Sequence, residues 1–268
     1  MPKSRAHPLT RLPQLLAGAL HPPPGAQRIW LAVLYGLLCH SIFGLAILSM
    51  FLAMFFGMSE SFGQVRAPFS WGANALLLLQ FPLMHSLLLT RRGGRLLSYL
   101  APERHARTLS TTTYALVASV QLLMLFTLWT PSGTVWWRAE GPVFVLVCGA
   151  CAAAWALLIK AILDAGVEVQ SGALGWLSLL QDIAPKFPDM PTHGLFRIIR
   201  QPIYVAFALT LWTVPVWTPD QLMVATALTA YCLGAPVLKE RRFAGRYGAR
   251  FAAYRARVPY AVPGWRAR

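Results

Sequence analysis

The chain has 268 residues, 56% of them apolar and only 12% charged, with a formal net charge of +15. Soluble domains carry about 25% charged residues, so half that share, with a mean hydropathy of +0.52, points to a bilayer and away from a soluble fold. The basic residues lie in the gaps between apolar runs and form no nucleic-acid motif, which argues against a nucleic-acid partner and for membrane topology and contact with anionic headgroups.

The leader, residues 1–28, reads "MPKSRAHPLTRLPQLLAGALHPPPGAQR" and is basic and rich in proline. Its one apolar run, Leu15 to Leu20, is shorter than the roughly 7–15 residues of a signal-peptide core. The expectation is a cytoplasmic, poorly ordered leader with at most a short interfacial helix. Residues 29–268 are expected to form a single membrane domain.

A membrane-crossing helix needs about 20 mostly apolar residues. The runs Ile29–Phe56, Trp71–Leu89, Thr112–Trp129 and Pro142–Leu163 meet that length. Ile203–Trp217 and Leu222–Leu238 are shorter, carry Pro215 and Pro236, and are separated only by "TPDQ". They predict a tight antiparallel hairpin. The fold class is therefore all-α, a polytopic membrane bundle of about six spans with a C-terminal helical hairpin and an interfacial helix.

Positive residues orient the spans. Lys3, Arg5, Arg11 and Arg28 precede the first; Arg91, Arg92, Arg95, Arg104 and Arg107 lie between the second and third; Lys239 and eight arginines follow the last. The alternate loops hold Arg66 and Arg138 alone. Six spans with both termini cytoplasmic satisfy every loop. Between Asp164 and Gln201, "GALGWLSLLQDI" reads as an interfacial helix, whereas "APKFPDMPTHG" has three prolines and cannot be regular helix.

Several residues are candidates for chemistry. Cys148 and Cys151 spell CxxC, but inside an apolar helix without polar neighbours they read as small packing residues, as do Cys39 and Cys232. Lys160 sits where its stem can snorkel to the headgroups. His40 reads as packing, while His85 stands equally well as an interhelical hydrogen-bonding group or a substrate contact. The histidines show no metal-ligand spacing, so no metal is expected.

Phe243, Tyr247, Phe251 and Tyr254 recur at offsets of four, four and three, on one helical face. Lys239, Arg242, Arg246 and Arg250 fall on another. The pattern predicts a helix lying in the inner interface with its aromatic face toward lipid. Glu240, a single acid among nine basic residues, pairs with Arg241 or Arg242 or receives a polar ligand. Arg197 and Arg200 read either as headgroup anchors or as one wall of a polar site. Pro202 suits the first turn of a helix, and Tyr204 follows one turn in.

Two stretches carry a family likeness: "GLFRIIRQPIYVAF" from Gly194, then, after the hairpin, "KERRFAGRYGARFAAYRARVPYAVPG" from Lys239. They resemble the integral-membrane methyltransferases related to isoprenylcysteine carboxyl methyltransferase. That pattern is Gly-x-Tyr-x-x-x-Arg-His-Pro-x-Tyr-x-Gly, a hairpin, Glu-Glu, and an aromatic-rich ending before Val-Pro. His85 and Ser86 at a span end and "TYALVASV" in the third span bring the bacterial methanethiol S-methyltransferases nearest. The likeness covers roughly residues 76–264. Gln201 stands for the family histidine, Ala206 for the glycine and Lys239 for the first glutamate.

The resemblance implies an S-adenosylmethionine-dependent methyltransferase of a bacterial-type inner membrane. Its cofactor would be held at the cytoplasmic face by residues 192–264, with Arg200, Gln201, Pro202, Tyr204 and Glu240 around it. His85 and Glu240 are the candidate catalytic residues. The acceptor would be small or lipophilic, most simply a thiol, which reacts as its thiolate. Alternatives are methylation of a lipid or isoprenylcysteine carboxyl or amine group, and a non-catalytic member of the fold.

Overall fold

The structure, a computed structural model, describes residues 8–264. Lys3, Arg5, Arg266 and Arg268 lie outside the described residues. In chain order the helices are α1 (Pro8–Ala19), α2 (Ala26–Phe55), α3 (Phe69–Leu88), α4 (Arg91–Tyr99), α5 (Ser110–Thr127), α6 (Gly141–Ala165), α7 (Val167–Gln170), α8 (Ala173–Leu180), α9 (Pro202–Trp212), α10 (Pro219–Tyr247) and α11 (Ala249–Arg257). Two short strands, β1 (Trp137–Arg138) and β2 (Val216–Trp217), pair antiparallel with Trp137 opposite Trp217.

The fold is that of an all-α membrane protein. Helices α2, α5, α6 and α10 are long and apolar enough to cross a bilayer, and α3 with α4, bent by 99°, makes a fifth if the pair is counted as one span. The expected fifth run, from Ile203, behaves differently. Helix α9 has eleven residues, about 16 Å at the α-helical rise, against a hydrocarbon core of about 30 Å. The run to Trp217 is ended by Pro215 and turned into β2, so the count of six full spans is reduced to four or five. The hairpin itself is present, tied where Gln221 Nε2 donates to the Leu211 carbonyl at 2.8 Å.

The chain divides into two compact units. The first comprises Met1–Met50, Leu79–Phe126 and Ala165–Pro188. Here α3 and α5 are clasped by a glutamine pair, Gln80 Nε2 donating to Gln121 O at 2.9 Å and Gln121 Nε2 to Gln80 Oε1 at 3.0 Å. Side-chain amides across helices are a way to hold a bundle where lipid offers no hydrophobic contrast. Helix α8 is buried along nearly its whole length, so "GALGWLSLLQDI" packs into the core of this unit. Within the leader, Pro8–Ala19 form the short helix α1 with Pro13 inside it. Helix α1 docks on α8 through Gln181 Nε2 to Leu15 O at 3.0 Å, and Arg11 pairs with the buried Glu168 at 3.5 Å.

The second unit comprises Phe51–Leu78, Thr127–Asp164 and Asp189–Arg268. Its long element is α10. Thr218 caps it, accepting from Gln221 N–H at 2.9 Å, with Pro219 next and Asp220 in the first turn. Each favours a helix start. Gly57 (φ +63°) approaches β2 so closely that a Cβ there would stand 2.7 Å from the Val216 carbonyl. At the far end Gly248 (φ +51°) stops α10 and turns the chain into α11.

Candidate functional site

The Arg-Gln-Pro corner is set by what precedes it. Asp164, buried near the end of α6, takes an ion pair from Lys160 and accepts from Leu195 N–H at 2.8 Å. That bond fixes the one-turn 3₁₀ helix Gly194–Arg197. Gly194 (φ +58°) lies against the same carboxylate, where a Cβ would collide. Lys160 is therefore a partner of Asp164, beyond any snorkelling role. Arg197 is exposed, as an anchor would be, whereas Arg200 turns inward. Pro202 starts α9 with Gln201 before it.

Arg200 and Glu240 meet directly. Arg200 Nε donates to Glu240 Oε1 at 2.8 Å and Nη2 to Oε2 at 3.4 Å, with side chains only 10% and 14% exposed. Glu240 thus pairs with Arg200, and not with Arg241 or Arg242 as its neighbours in sequence imply. Gln201, also buried, bridges the two helices. Its Nε2 donates to Glu240 Oε1 at 2.8 Å, and its Oε1 accepts from Lys239 Nζ at 2.8 Å. An amide, donor at one end and acceptor at the other, suits a position between a carboxylate and an ammonium.

Lys239 Nζ stands 5.6 Å from the ring centroids of Phe196, Tyr204 and Phe243. That is within cation–π range of all three.

The basic ending closes around this cluster. Arg200 Nη1 donates to Val258 O at 2.5 Å and to Arg255 O at 3.2 Å. The Arg200 N–H reaches Pro259 O at 2.9 Å and the Gln201 N–H reaches Tyr260 O at 3.1 Å. The corner therefore spends its backbone donors on the tail. Tyr254 O–H donates to Phe196 O at 2.7 Å, and Arg250 pairs with Asp189 at 2.7 Å. Burial pushes the Tyr254 phenol well above the ordinary tyrosine range, Arg200 opposing, and burial with Glu240 also raises Tyr260.

The aromatic series faces protein and not lipid. Phe251 and Tyr254 are buried with Met190, and Phe243, Tyr247 and Val258 pack on them. The break at Gly248 brings α11 back so that Phe243 and Phe251 meet edge-on at 6.0 Å. A continuous helix would have kept them on one outer stripe.

Two cavities adjoin the cluster. A small one of about 10 Å³ is lined by Phe196, Gln201, Lys239, Glu240, Phe243 and Phe251, among others. A larger, open groove of about 590 Å³ lies between the end of α10, α11 and the tail, with Arg200, Gly248, Phe251, Arg255, Val258 and Tyr260 on its walls. Arg200 and Phe251 line both.

The chain is 28% identical over 194 residues to Methanethiol S-methyltransferase 1 of Bradyrhizobium diazoefficiens, covering 72% of the chain and 66% of that protein. It is 29% identical over 190 residues to Methanethiol S-methyltransferase 2 of the same organism, covering 71% of the chain and 72% of that protein. A Pseudomonas methanethiol S-methyltransferase is 26% identical over 237 residues, 86% of the chain and 89% of its own length. The chain thus spans just under two thirds of the first of these relatives and most of the last. No family model matches, and no solved structure does.

The structure brings Arg200, Gln201, Pro202, Tyr204 and Glu240 into one unit, around one cluster. His85 belongs to the other unit. Its ring centroid is 5.0 Å from Phe81 and 5.1 Å from Tyr114, whose O–H donates to His85 O at 3.3 Å. His40 accepts from Trp176 Nε1 at 3.0 Å, a packing role. The four cysteines are free thiols, none of them exposed. Sequence reading missed Phe196 and Phe243 as a cage and Asp164 as the support of the corner. The cage needs the fold of the tail, and no local signal marks Asp164.

Proposed function

We propose that the chain is an integral-membrane methyltransferase that uses S-adenosylmethionine to methylate a small thiol, methanethiol being the acceptor its relatives are named for. The observation that carries the reading is the Arg200–Glu240–Gln201–Lys239 clasp, built from the stretches that resemble membrane methyltransferases and bordering a ligand-sized groove. The basic residues flanking it favour a cytoplasmic site, with both termini on that side.

The groove fits such a cofactor. Its volume of about 590 Å³ lies within the roughly 300–1,000 Å³ of small-molecule sites, and it offers an aromatic ring from Tyr260 and a guanidinium from Arg255 for a carboxylate. When bound, S-adenosylmethionine supplies an electrophilic methyl group on a positively charged sulfur. Arg200 and Glu240 spend most of their hydrogen bonds on each other and on the tail, so their part is to brace the wall shared by both cavities. Phe196 and Phe243 line the small cavity, and Tyr204 packs its ring on Lys239 beside them. Holding two reactants in a fixed arrangement is a large part of what catalysis of this kind requires, and no metal is invoked.

The test is an acceptor screen with purified protein and methyl-labelled cofactor. Label is expected in volatile thioether from methanethiol. Label in lipid or in an isoprenylcysteine carboxyl ester, with none on thiols, would overturn the acceptor class. Absence of saturable S-adenosylhomocysteine binding would overturn the methyltransferase reading itself.

A further inference from the structure

Helix α4 leaves α3 at 99°, after Leu89 and Thr90. The turn is built into the residues around it. Thr90 caps α4 by accepting from the Gly93 N–H at 3.1 Å, and a Cβ at Gly93 would collide with the Leu87 carbonyl. Helix α3 does not need α4 to cross a bilayer. Its twenty residues extend about 30 Å at the α-helical rise, the thickness of the hydrocarbon core. With α3 crossing, a helix at a right angle to it runs along the membrane surface.

The start of α2 fixes the level at which it runs. Tyr35 O–H donates to the Leu100 carbonyl at 3.2 Å, and Ala101 and Ala106, just after α4, pack with Ala32. The end of α4 therefore lies beside the first turns of α2, where Trp30 is 73% exposed. An exposed tryptophan at the start of a membrane helix belongs to the interfacial belt.

The faces of α4 are sorted for that position. Gly93 and Leu97, four apart, are buried. Leu96 and Leu100, also four apart, are 48% and 57% exposed on the adjoining face. Arg92, Arg95 and Tyr99 are exposed on a third face, at the offsets of three and four that bring helical residues together. Arg104 and Arg107 follow, both exposed. Among the described residues none of these four arginines makes an ion pair, and Glu103 is the one acid in residues 91–107.

We propose that α4 is an in-plane helix that binds anionic phospholipid, with Leu96 and Leu100 in the acyl boundary and Arg92, Arg95, Arg104 and Arg107 on the headgroup phosphates. A helix with cations on one face and apolar residues on another lies in the interface in this way, and an anionic leaflet attracts each cation near its surface. The occupant is lipid because the exposed leucines continue directly from a bilayer-crossing helix, and the surplus of guanidinium selects acidic headgroups over zwitterionic ones. The inference is independent of the methyltransferase reading. It makes α3 alone the span and α4 the anchor of its end.

The experiment uses the full chain in nanodiscs of phosphatidylcholine, with or without phosphatidylglycerol. Nitroxide labels are placed singly through Arg95→Cys, Leu96→Cys and Leu100→Cys, all at exposed positions, and no native thiol is exposed. Labels at 96 and 100 are expected to be relaxed by oxygen more than by a water-soluble nickel chelate, and the label at 95 the reverse. Nickel access at all three would put α4 in water, and oxygen dominance at all three would make it part of a span; either result overturns the proposal. A photoactivatable phosphatidylglycerol with peptide mapping then reads the headgroup. Arg92→Gln with Arg95→Gln is expected to lower cross-linking to residues 92–107 at least threefold, and Arg92→Lys with Arg95→Lys to keep it within about twofold of wild type. Cross-linking as strong from the matching phosphatidylcholine probe, or unchanged in the glutamine variant, would sink the anionic-lipid assignment.

Discussion

Helix α10 carries a buried acid near each end, and the two ends are built in opposite ways. Asp220, in its first turn, accepts from Trp129 Nε1 at 3.0 Å, from Ser132 N–H at 2.9 Å and from Ser132 Oγ at 2.5 Å. Every donor is neutral, each bond closes a turn or a strand connection, and neither of the two cavities is lined by Asp220. Glu240, at the other end, is held by a guanidinium and an amide, beside the Lys239 side chain and two cavities. An acid satisfied by neutral donors at a helix start is a structural fitting. In the function proposed above, the Glu240 end is the one that borders the ligand.

If that contrast is right, losing either acid should weaken the fold, but only one loss should touch binding. Glu240→Ala leaves Arg200 buried without its partner, which costs about 3–5 kcal/mol. Methyl transfer should fall to background and S-adenosylhomocysteine affinity by tenfold or more, read by calorimetry on the folded fraction. Asp220→Ala removes three bonds to a charged acceptor and should cost about 2–4 kcal/mol, read by thermal unfolding in detergent, with cofactor-product affinity in the folded fraction unchanged. Equal loss of binding in both variants would erase the distinction.

Smaller changes test how the charged end is supported. Gly194→Ala forces a left-handed backbone on a residue with a Cβ and drives it into Asp164. A loss of about 2 kcal/mol is expected, with faster cleavage of the tail in limited proteolysis as the corner shifts. The mildest test is Tyr254→Phe, which leaves Phe196 O without its donor and should cost about 1 kcal/mol.

The sign of the pH effect at Tyr254 follows from its raised pKa. Its stabilising contribution is fully present below the unfolded tyrosine value of about 10 and is lost as pH rises above it toward the higher folded value. Tail docking, followed by proteolysis, should hold steady from neutral pH up to about 10 and loosen beyond, and Tyr254→Phe should lack that alkaline step.

Much of this end of the molecule was legible from residue order. The start of α9 at Pro202, the hairpin across "TPDQ" and the clustering of Arg200, Gln201, Tyr204 and Glu240 all follow from local rules and from the likeness of two short stretches to a known pattern. The aromatic ending was legible as a periodic face but not as to what that face meets. An offset of four, four and three is the same for a stripe against lipid and for one folded back by Gly248 onto Met190. Nor did the length of the run from Ile203 disclose that Pro215 would end the helix near Trp212 and turn the chain into β2.

By itself the amino-acid order determined that the chain is helical and that it belongs in a membrane. Those properties sum over many residues and depend only on composition and spacing along the chain. Which cation meets which carboxylate was decided by tertiary structure alone. Glu240 lies next to Arg241 in the sequence yet pairs with Arg200, because successive helical residues point to different sides and only residues three or four apart share a face. The partner therefore had to come from the other arm of the hairpin. The same return of the chain set three rings around Lys239, a residue that in sequence is one basic side chain among nine.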